Sequence, residues 1–171
     1  KLDPQYDSLL VTSLVNKQIY DTLLRKNDTT GKLEPWLATE WEWVDDTTLH
    51  MTLRDDVYFH NGEKLTAEDV AYTIKRCAEG SATASLFRSF DAENTTVLDE
   101  THVEIKMLEP FGATLNILAN VKASIVCKSY CESADETAIG RAPIGSGPFS
   151  FVGWVDGDCI NLTRNDNYWG N

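Results

Sequence analysis

Four times along this chain a short strand-like run meets a second such run across a polar turn, and in several of these runs apolar and polar side chains alternate. Leu23 to Lys26 and Lys32 to Glu34 flank Asp28-Thr29-Thr30-Gly31, and Glu40 to Val44 and Leu49 to Arg54 flank Asp45-Asp46-Thr47-Thr48. Thr96 to Leu98 and Val103 to Leu108 flank Asp99-Glu100, and Phe149 to Val152 and Cys159 to Arg164 flank Asp156-Gly157-Asp158. A period of two sends successive side chains to opposite faces, so Leu49, Met51 and Leu53 point one way while His50, Thr52 and Arg54 point the other. An isolated hairpin is marginal in water. The apolar faces therefore have to be covered, and the class this predicts is α+β, mixed and strand-rich.

The covering helices are legible in part. Leu10, Leu14, Val15, Ile19 and Leu23 form an apolar stripe suited to an amphipathic helix after Asp3-Pro4, with Ser8 or Ser13 as its cap. Val57 and Phe59 read as a short strand closed by the tight turn Asn61-Gly62. Thr66 then opens a helix, accepting the Asp69 amide while the Asp69 carboxylate sits in the positive first turn. Val70, Ile74 and Cys77 carry its apolar face, and Gly80 marks its end. A short helix holds Leu115 and Leu118, and Ile125 with Cys127 reads as one face of a further strand. Without an internal repeat or a linker-like stretch, residues 1–171 read as a single unit.

Charge narrows the partners. The 15 Lys plus Arg against 27 Asp plus Glu give a net charge of −12, which repels phosphate backbones and anionic headgroups. Nucleic acid is thereby disfavoured as a partner. No apolar run approaches the roughly 18 residues that cross a bilayer. Cys77, Cys127, Cys131 and Cys159 match no disulfide framework, and a Cys127–Cys131 pair stays open as an alternative in an exported protein.

Chemistry-bearing patterns are weak. Gly145-Ser146-Gly147-Pro148 lacks the Lys-Ser/Thr and the helix start of a phosphate loop, so its glycines read as permitting positive backbone angles before the strand at Phe149. His50, His60 and His102 with Cys127 and Cys131 have no zinc-site spacing, so no metal and no cofactor is expected. Trp41 and Trp43, two apart on one strand face, suit core packing better than stacking on sugar rings. Neither a Ser-His-Asp order nor a carboxylate pair suggests a catalyst.

The order of motifs says more than any one of them. Leu2-Asp3-Pro4, Tyr20-Asp21-Thr22-Leu23 and Glu34-Pro35-Trp36-Leu37-Ala38 before Trp41 are followed by Thr52-Leu53-Arg54-Asp55-Asp56-Val57 and Phe59-His60-Asn61-Gly62. Then come Leu65-Thr66-Ala67-Glu68-Asp69-Val70, Arg76, Val103-Glu104-Ile105, Glu109-Pro110, Gly145-Ser146-Gly147-Pro148-Phe149, Trp154, Arg164-Asn165 and Tyr168-Trp169. In this order the sequence resembles the family 5 extracellular solute-binding proteins of ABC importers, which capture oligopeptides, dipeptides and nickel. It departs from the family at Ser146, where Thr is usual, and the stretch from Lys128 to Ala142, with two acidic clusters and a Cys, is not placed by the resemblance.

The resemblance implies a type II, two-lobed periplasmic-binding-protein-like fold, of which this chain is an N-terminal lobe fragment with the second lobe absent. It implies a non-enzymatic substrate-binding component, periplasmic or extracellular and lipid-anchored in its full form, with a peptide or other small solute and the membrane permease subunits as partners. By position it implies that Ser8, Leu9 and Leu10 border the ligand and that Phe87 forms an aromatic wall of the same cleft. The residues themselves leave two other classes open, a hydrolase or metal-binding α+β domain and a protein-interaction domain.

Overall fold

A computed structural model describes residues 1–170. Helix α1 (Leu10–Ile19) leads into the hairpin β1 (Leu24–Lys26) and β2 (Leu33–Pro35), then into β3 (Ala38–Asp45) and β4 (Thr48–Leu53). Helix α2 (Ala67–Glu79) precedes β5 (Phe90–Val97) and β6 (His102–Met107), and three short helices follow, α3 (Thr114–Leu118), α4 (Lys128–Ser133) and α5 (Glu136–Arg141). The hairpin β7 (Phe149–Val155) and β8 (Cys159–Arg164) ends the series. The mixed, strand-rich α+β class is as read from the sequence, and each of the four strand pairs read there is an antiparallel hairpin.

Two of these hairpins join into one antiparallel sheet of order β3-β4-β6-β5. The register sets Met51 against Val103 and Leu49 against Ile105, so both strands contribute to a single apolar face. On that face Leu49, Met51, Leu53, Val103, Ile105 and Met107 are buried. Helix α2 covers it with Val70, Ile74 and Cys77, and Val57, Phe59, Leu65 and Phe90 close the same core. Each such side chain contributes roughly 1.5–3 kcal/mol on leaving water. Trp41 is partly buried against this core, whereas Trp43 lies near the β3–β4 turn on the edge strand and is exposed.

The start of α2 differs from expectation in one detail. The Asp69 carboxylate accepts hydrogen bonds from both the amide and the hydroxyl of Thr66, at 2.9 and 3.2 Å, and its second oxygen accepts from the Lys128 amide at 2.9 Å. Asp69 therefore fastens α4 to α2 as well as capping α2. Burial pushes its pKa up, against the opposing pull of these donors. The Lys128 to Ala142 stretch, which the resemblance does not place, thus forms α4 and α5 on a defined support.

Other expectations are corrected. Val57 and Phe59 do not form a strand; an isolated bridge between Tyr58 and Lys64 closes that turn. Ile125 and Cys127 are not strand residues either. Ile125, Val126 and Cys127 are all buried in an irregular segment, where the amides of Ile125 and Val126 donate to the Asp21 carbonyl and the Thr73 hydroxyl at 2.9 and 3.1 Å. With such partners from other elements, the segment satisfies its backbone without a ladder. All four cysteines are free, and burial pushes the Cys131 thiol up to about 12 and the Cys127 thiol above its ordinary value.

The glycines of Gly145-Ser146-Gly147 serve a purpose other than the expected one. Positive backbone angles occur at Gly31, Gly62 and Gly157, not here. Instead the loop crosses the end of α1 so closely that a Cβ on Gly145 would lie 2.1 Å from the Ile19 carbonyl oxygen, and one on Gly147 2.6 Å from the Ile19 carbonyl carbon. Only hydrogen fits in that space.

The same loop delivers Ser146 to a buried carboxylate. Asp21 accepts hydrogen bonds from the Trp36 indole at 2.9 Å, the Ser146 hydroxyl at 3.0 Å, the Trp169 indole at 3.1 Å and the Tyr168 hydroxyl at 3.2 Å. Removing this acceptor strands several donors at once, which costs far more than one hydrogen bond. Asp21→Ala is expected to destabilise the fold by about 3 kcal/mol or more, and the exposed Asp46→Ala by no more than about 0.5 kcal/mol. Urea melts of both variants check this; equal midpoints would refute the central place of Asp21.

His60 holds the loop from the other side. Its Nδ1 accepts the Gly145 amide at 3.3 Å and its Nε2 faces the Gly147 carbonyl at 3.0 Å, which assigns the neutral tautomer with the proton on Nε2. Burial lowers its pKa below the ordinary 6.5, against the opposing effect of the Gly147 carbonyl and Asp21. A depressed folded pKa means that the unfolded chain takes up this proton first. The His60 contribution is therefore complete above about pH 6.5 and is lost as pH falls toward the folded value, by at most about 1.4 kcal/mol per pH unit. Denaturant melts from pH 7.5 to 5.0 should show a smaller loss for His60→Gln than for the native chain, and parallel pH profiles would overturn the lowered pKa of His60.

Candidate functional site

The turn ahead of α1 is fixed by a buried ion pair. Both Asp3 oxygens face the Arg76 guanidinium of α2, at 2.7 and 2.5 Å, in a bidentate arrangement, and Arg76 also donates to the Gln5 side-chain carbonyl. Gln5 continues the network by donating to the carbonyls of Lys122 and Ser124 at 3.2 and 3.0 Å. Tyr6 lies under the guanidinium, 4.7 Å from ring centre to carbon. Breaking a buried pair of this kind leaves an uncompensated charge and costs about 3–5 kcal/mol. Residues 3–6 are thereby locked onto α2.

Asp7 carries that rigidity to the next residues. One of its oxygens accepts the Leu9 amide at 2.7 Å and the Thr12 hydroxyl at 2.8 Å, and its own carbonyl accepts from Lys122 Nζ at 2.8 Å. Burial works to raise the Asp7 pKa, but the Leu9 amide and the Thr12 hydroxyl outweigh it and hold the carboxyl below its ordinary value. Asp7, not Ser8 or Ser13, organises the helix start, and Leu9 occupies the cap position without a side-chain cap. Periodicity gives no sign of this, because an Asp before a helix fits a plain turn equally well. Its only sequence signal is the Asp7 to Thr12 spacing, one turn and a residue apart.

The consequence is visible on α1 itself. The expected stripe divides: Thr12, Asn16 and Ile19 are buried, while Leu9, Leu10, Val11 and Leu14 are 62%, 78%, 72% and 59% exposed. Leu23 is buried, but beyond the helix end. A helix in this position buries one face, and here the more apolar side chains of its first turns lie on the other. Ser8 is exposed beside them. Three of the four expected site residues, Ser8, Leu9 and Leu10, thus form one open surface.

Phe87 is placed elsewhere. Its ring is 1% exposed and packs on Phe90 with centroids 4.5 Å apart, inside the core under α2. Its amide and the Leu86 amide bond back to Thr83, so the turn that carries it aims the ring inward. A ring without open surface offers no wall to a ligand.

Among the described residues, no group of three or more His, Cys, Asp and Glu side chains is gathered where a metal ion could sit. His50 is engaged by Glu104 at 2.7 Å and His102 by Asp99 at 2.8 Å. No described helix is long and apolar enough to cross a membrane.

Comparison with known proteins matches this chain to one family. The model of bacterial extracellular solute-binding proteins, family 5, middle region, matches residues 32–171. The peptide transport periplasmic protein SapA of Salmonella typhimurium is 30% identical over 94% of this chain and 33% of its own length. The glutathione-binding protein GsiB of Escherichia coli is 26% identical over 98% of this chain and 33% of its own. The chain thus spans about a third of the length of the curated relatives it matches. Among solved structures, the periplasmic binding protein DppA of Helicobacter pylori, in complex with the peptide STSA, superposes with a TM-score of 0.88 at 25% identity, over 99% of this chain and 38% of its own. NikZ of Campylobacter jejuni, in complex with Ni(L-His), gives 0.85 at 25% identity, over 100% and 34%. These are type II periplasmic binding proteins, the fold expected above.

The exposure of α1 yields a direct test. Leu10→Arg and Leu14→Glu are expected to change stability by no more than about 0.5 kcal/mol, because neither side chain is packed. Ile19→Ala should cost about 2–4 kcal/mol. Urea melts of the three variants read the difference, and an unfolded Leu10→Arg would return Leu10 to the core.

Proposed function

The chain belongs to the bacterial extracellular solute-binding proteins, family 5, and from that premise we propose that it is part of the solute-capturing lobe of an ABC importer's substrate-binding component. The whole protein then has two lobes that close on a ligand by a hinge, a motion for which periplasmic binding proteins are a standard illustration. It acts by binding and release without turnover, delivers its cargo to membrane permease subunits, and works in the periplasm or outside the cell on a lipid anchor. The cargo is a peptide or a related small solute, by analogy with SapA, a peptide transport protein, and DppA, which is seen in complex with the peptide STSA.

One observation carries this reading. Leu9, Leu10, Val11 and Leu14 form an apolar surface in water, held rigid by Asp7 and by the Asp3–Arg76 pair. An exposed apolar patch on a stiff support is the mark of a surface that is covered in use, and rigidity lowers the entropy lost on covering it. In our reading Ser8, Leu9 and Leu10 border the ligand from this side. Phe87 stiffens the lobe from the core.

Mass spectrometry of compounds that co-purify with the full-length protein identifies the cargo, and calorimetry then measures its affinity. Leu10→Arg in the full-length protein is expected to weaken binding at least tenfold, about 1.4 kcal/mol, with the melting temperature unchanged. Unaltered affinity would remove the α1 surface from the site.

A further inference from the structure

Beyond the apolar turns of α1 lies a groove of different character. Lys17 falls on the same outward face as Leu10 and Leu14, at helical spacings of four and three residues. It forms one wall of a groove of about 430 Å³ whose other walls include Arg25 and Lys26 of β1, Trp36 and Asn120. Three cations line this groove and Asp28 is the one carboxylate among its lining residues. That balance is opposite in sign to the chain, where 27 acidic residues face 15 basic ones.

The cations differ in how they are held. The Arg25 guanidinium lies 4.2 Å from the Trp36 ring centre and donates one N–H to Glu34 at 2.9 Å, which fixes its plane beside the groove. Lys17 and Lys26 form no ion pair among the described residues. Trp36 is itself fixed, with its indole N–H on Asp21 at 2.9 Å and the Trp169 ring edge-on at 4.8 Å. A planar guanidinium fixed in advance, with these two ammonium groups lining the same groove, matches an oxygen anion.

We propose that this groove takes the carboxylate end of the ligand while the Leu10 and Leu14 turns of α1 take its apolar portion. The proposal deepens the solute-capture reading and rests on it for the direction in which the ligand lies. The class it selects is a short peptide or peptide-like solute with a free carboxylate and an apolar side chain next to it. The −12 field disfavours approach of such an anion to most of the surface, so a local cationic groove also sets where the ligand docks.

The test uses this chain and a defined probe. N-acetyl-leucyl-leucine, its C-terminal amide and inorganic phosphate are titrated at matched ionic strength, with sodium chloride as control, into ¹⁵N-labelled protein. The Trp36 indole and the Val121 amide are the reporters. A saturable shift with the free acid is expected, at least fivefold weaker for the amide and at least fivefold weaker for the exposed double variant Lys17→Gln/Lys26→Gln. Shifts reproduced by chloride, an amide as effective as the acid, or a double variant with native affinity would each overturn the proposal. Phosphate saturating at lower concentration than the acid would overturn the choice of a carboxylate. Failure here leaves solute capture by the full-length protein standing, whereas a full-length protein without cargo but with a titrating groove would fail that broader reading alone.

Discussion

The Asp21 carboxylate is the point on which the rest of the structure depends. It sits between α1 and β1 and accepts hydrogen bonds from Trp36, Ser146, Tyr168 and Trp169, which come from both halves of the chain. A buried carboxylate is costly unless its lone pairs are filled, and here four donors fill them. The motifs that looked independent in the sequence are therefore one device. Tyr20-Asp21, Pro35-Trp36, the Gly145–Pro148 loop and Tyr168-Trp169 are the acceptor and the donors of a single network, and their order is fixed because the fold has to bring them together. The glycines of the loop belong to it too, since Ser146 reaches Asp21 only if the backbone passes within van der Waals contact of Ile19.

A second buried network does for the N-terminal turn what Asp21 does for the body. Arg76, on the middle helix, holds Asp3 and Gln5, and Gln5 in turn holds the Lys122–Ser124 backbone. Through Asp7 this support reaches the first turn of α1 and keeps its apolar side chains in solvent. A surface of this kind normally invites collapse, and its persistence depends on the stiffness beneath it. The candidate site is thus apolar and open, and the polar groups of Asp3, Gln5 and Arg76 that steady it are buried.

Much of the fold was legible in the residues. The four hairpins follow from short strand-like runs, several of them alternating, across polar turns, and α2 follows from Thr66, Asp69 and the Val70, Ile74, Cys77 face, because in each case the pattern and its boundary signal agree. Where only one of the two was present, the reading failed. Ile125 to Cys127 is apolar enough for a strand, yet its amides found acceptors in Asp21 and Thr73, and no ladder was needed. The Lys128 to Ala142 stretch lacked periodicity and became two short helices, supported by the Asp69 carboxylate and by an Asp135 cap that accepts the Ala138 amide. Of the expected site residues, Ser8, Leu9 and Leu10 are exposed while Phe87 is absorbed by the core, a separation that position along the chain does not record.

The sequence by itself determined the class, the hairpins, the capped helix and the ordered set of polar and aromatic motifs, because these depend on neighbours within a few residues. Which face of α1 meets water, why Gly145 and Gly147 must be glycine, and that Asp21 gathers its donors were decided only by the tertiary structure. Each of these depends on groups many residues apart approaching within a few ångströms. A linear pattern records which side chains are apolar or charged. It does not record which of them the folded chain leaves without a neighbour, and the candidate site of this protein consists of side chains left in that state.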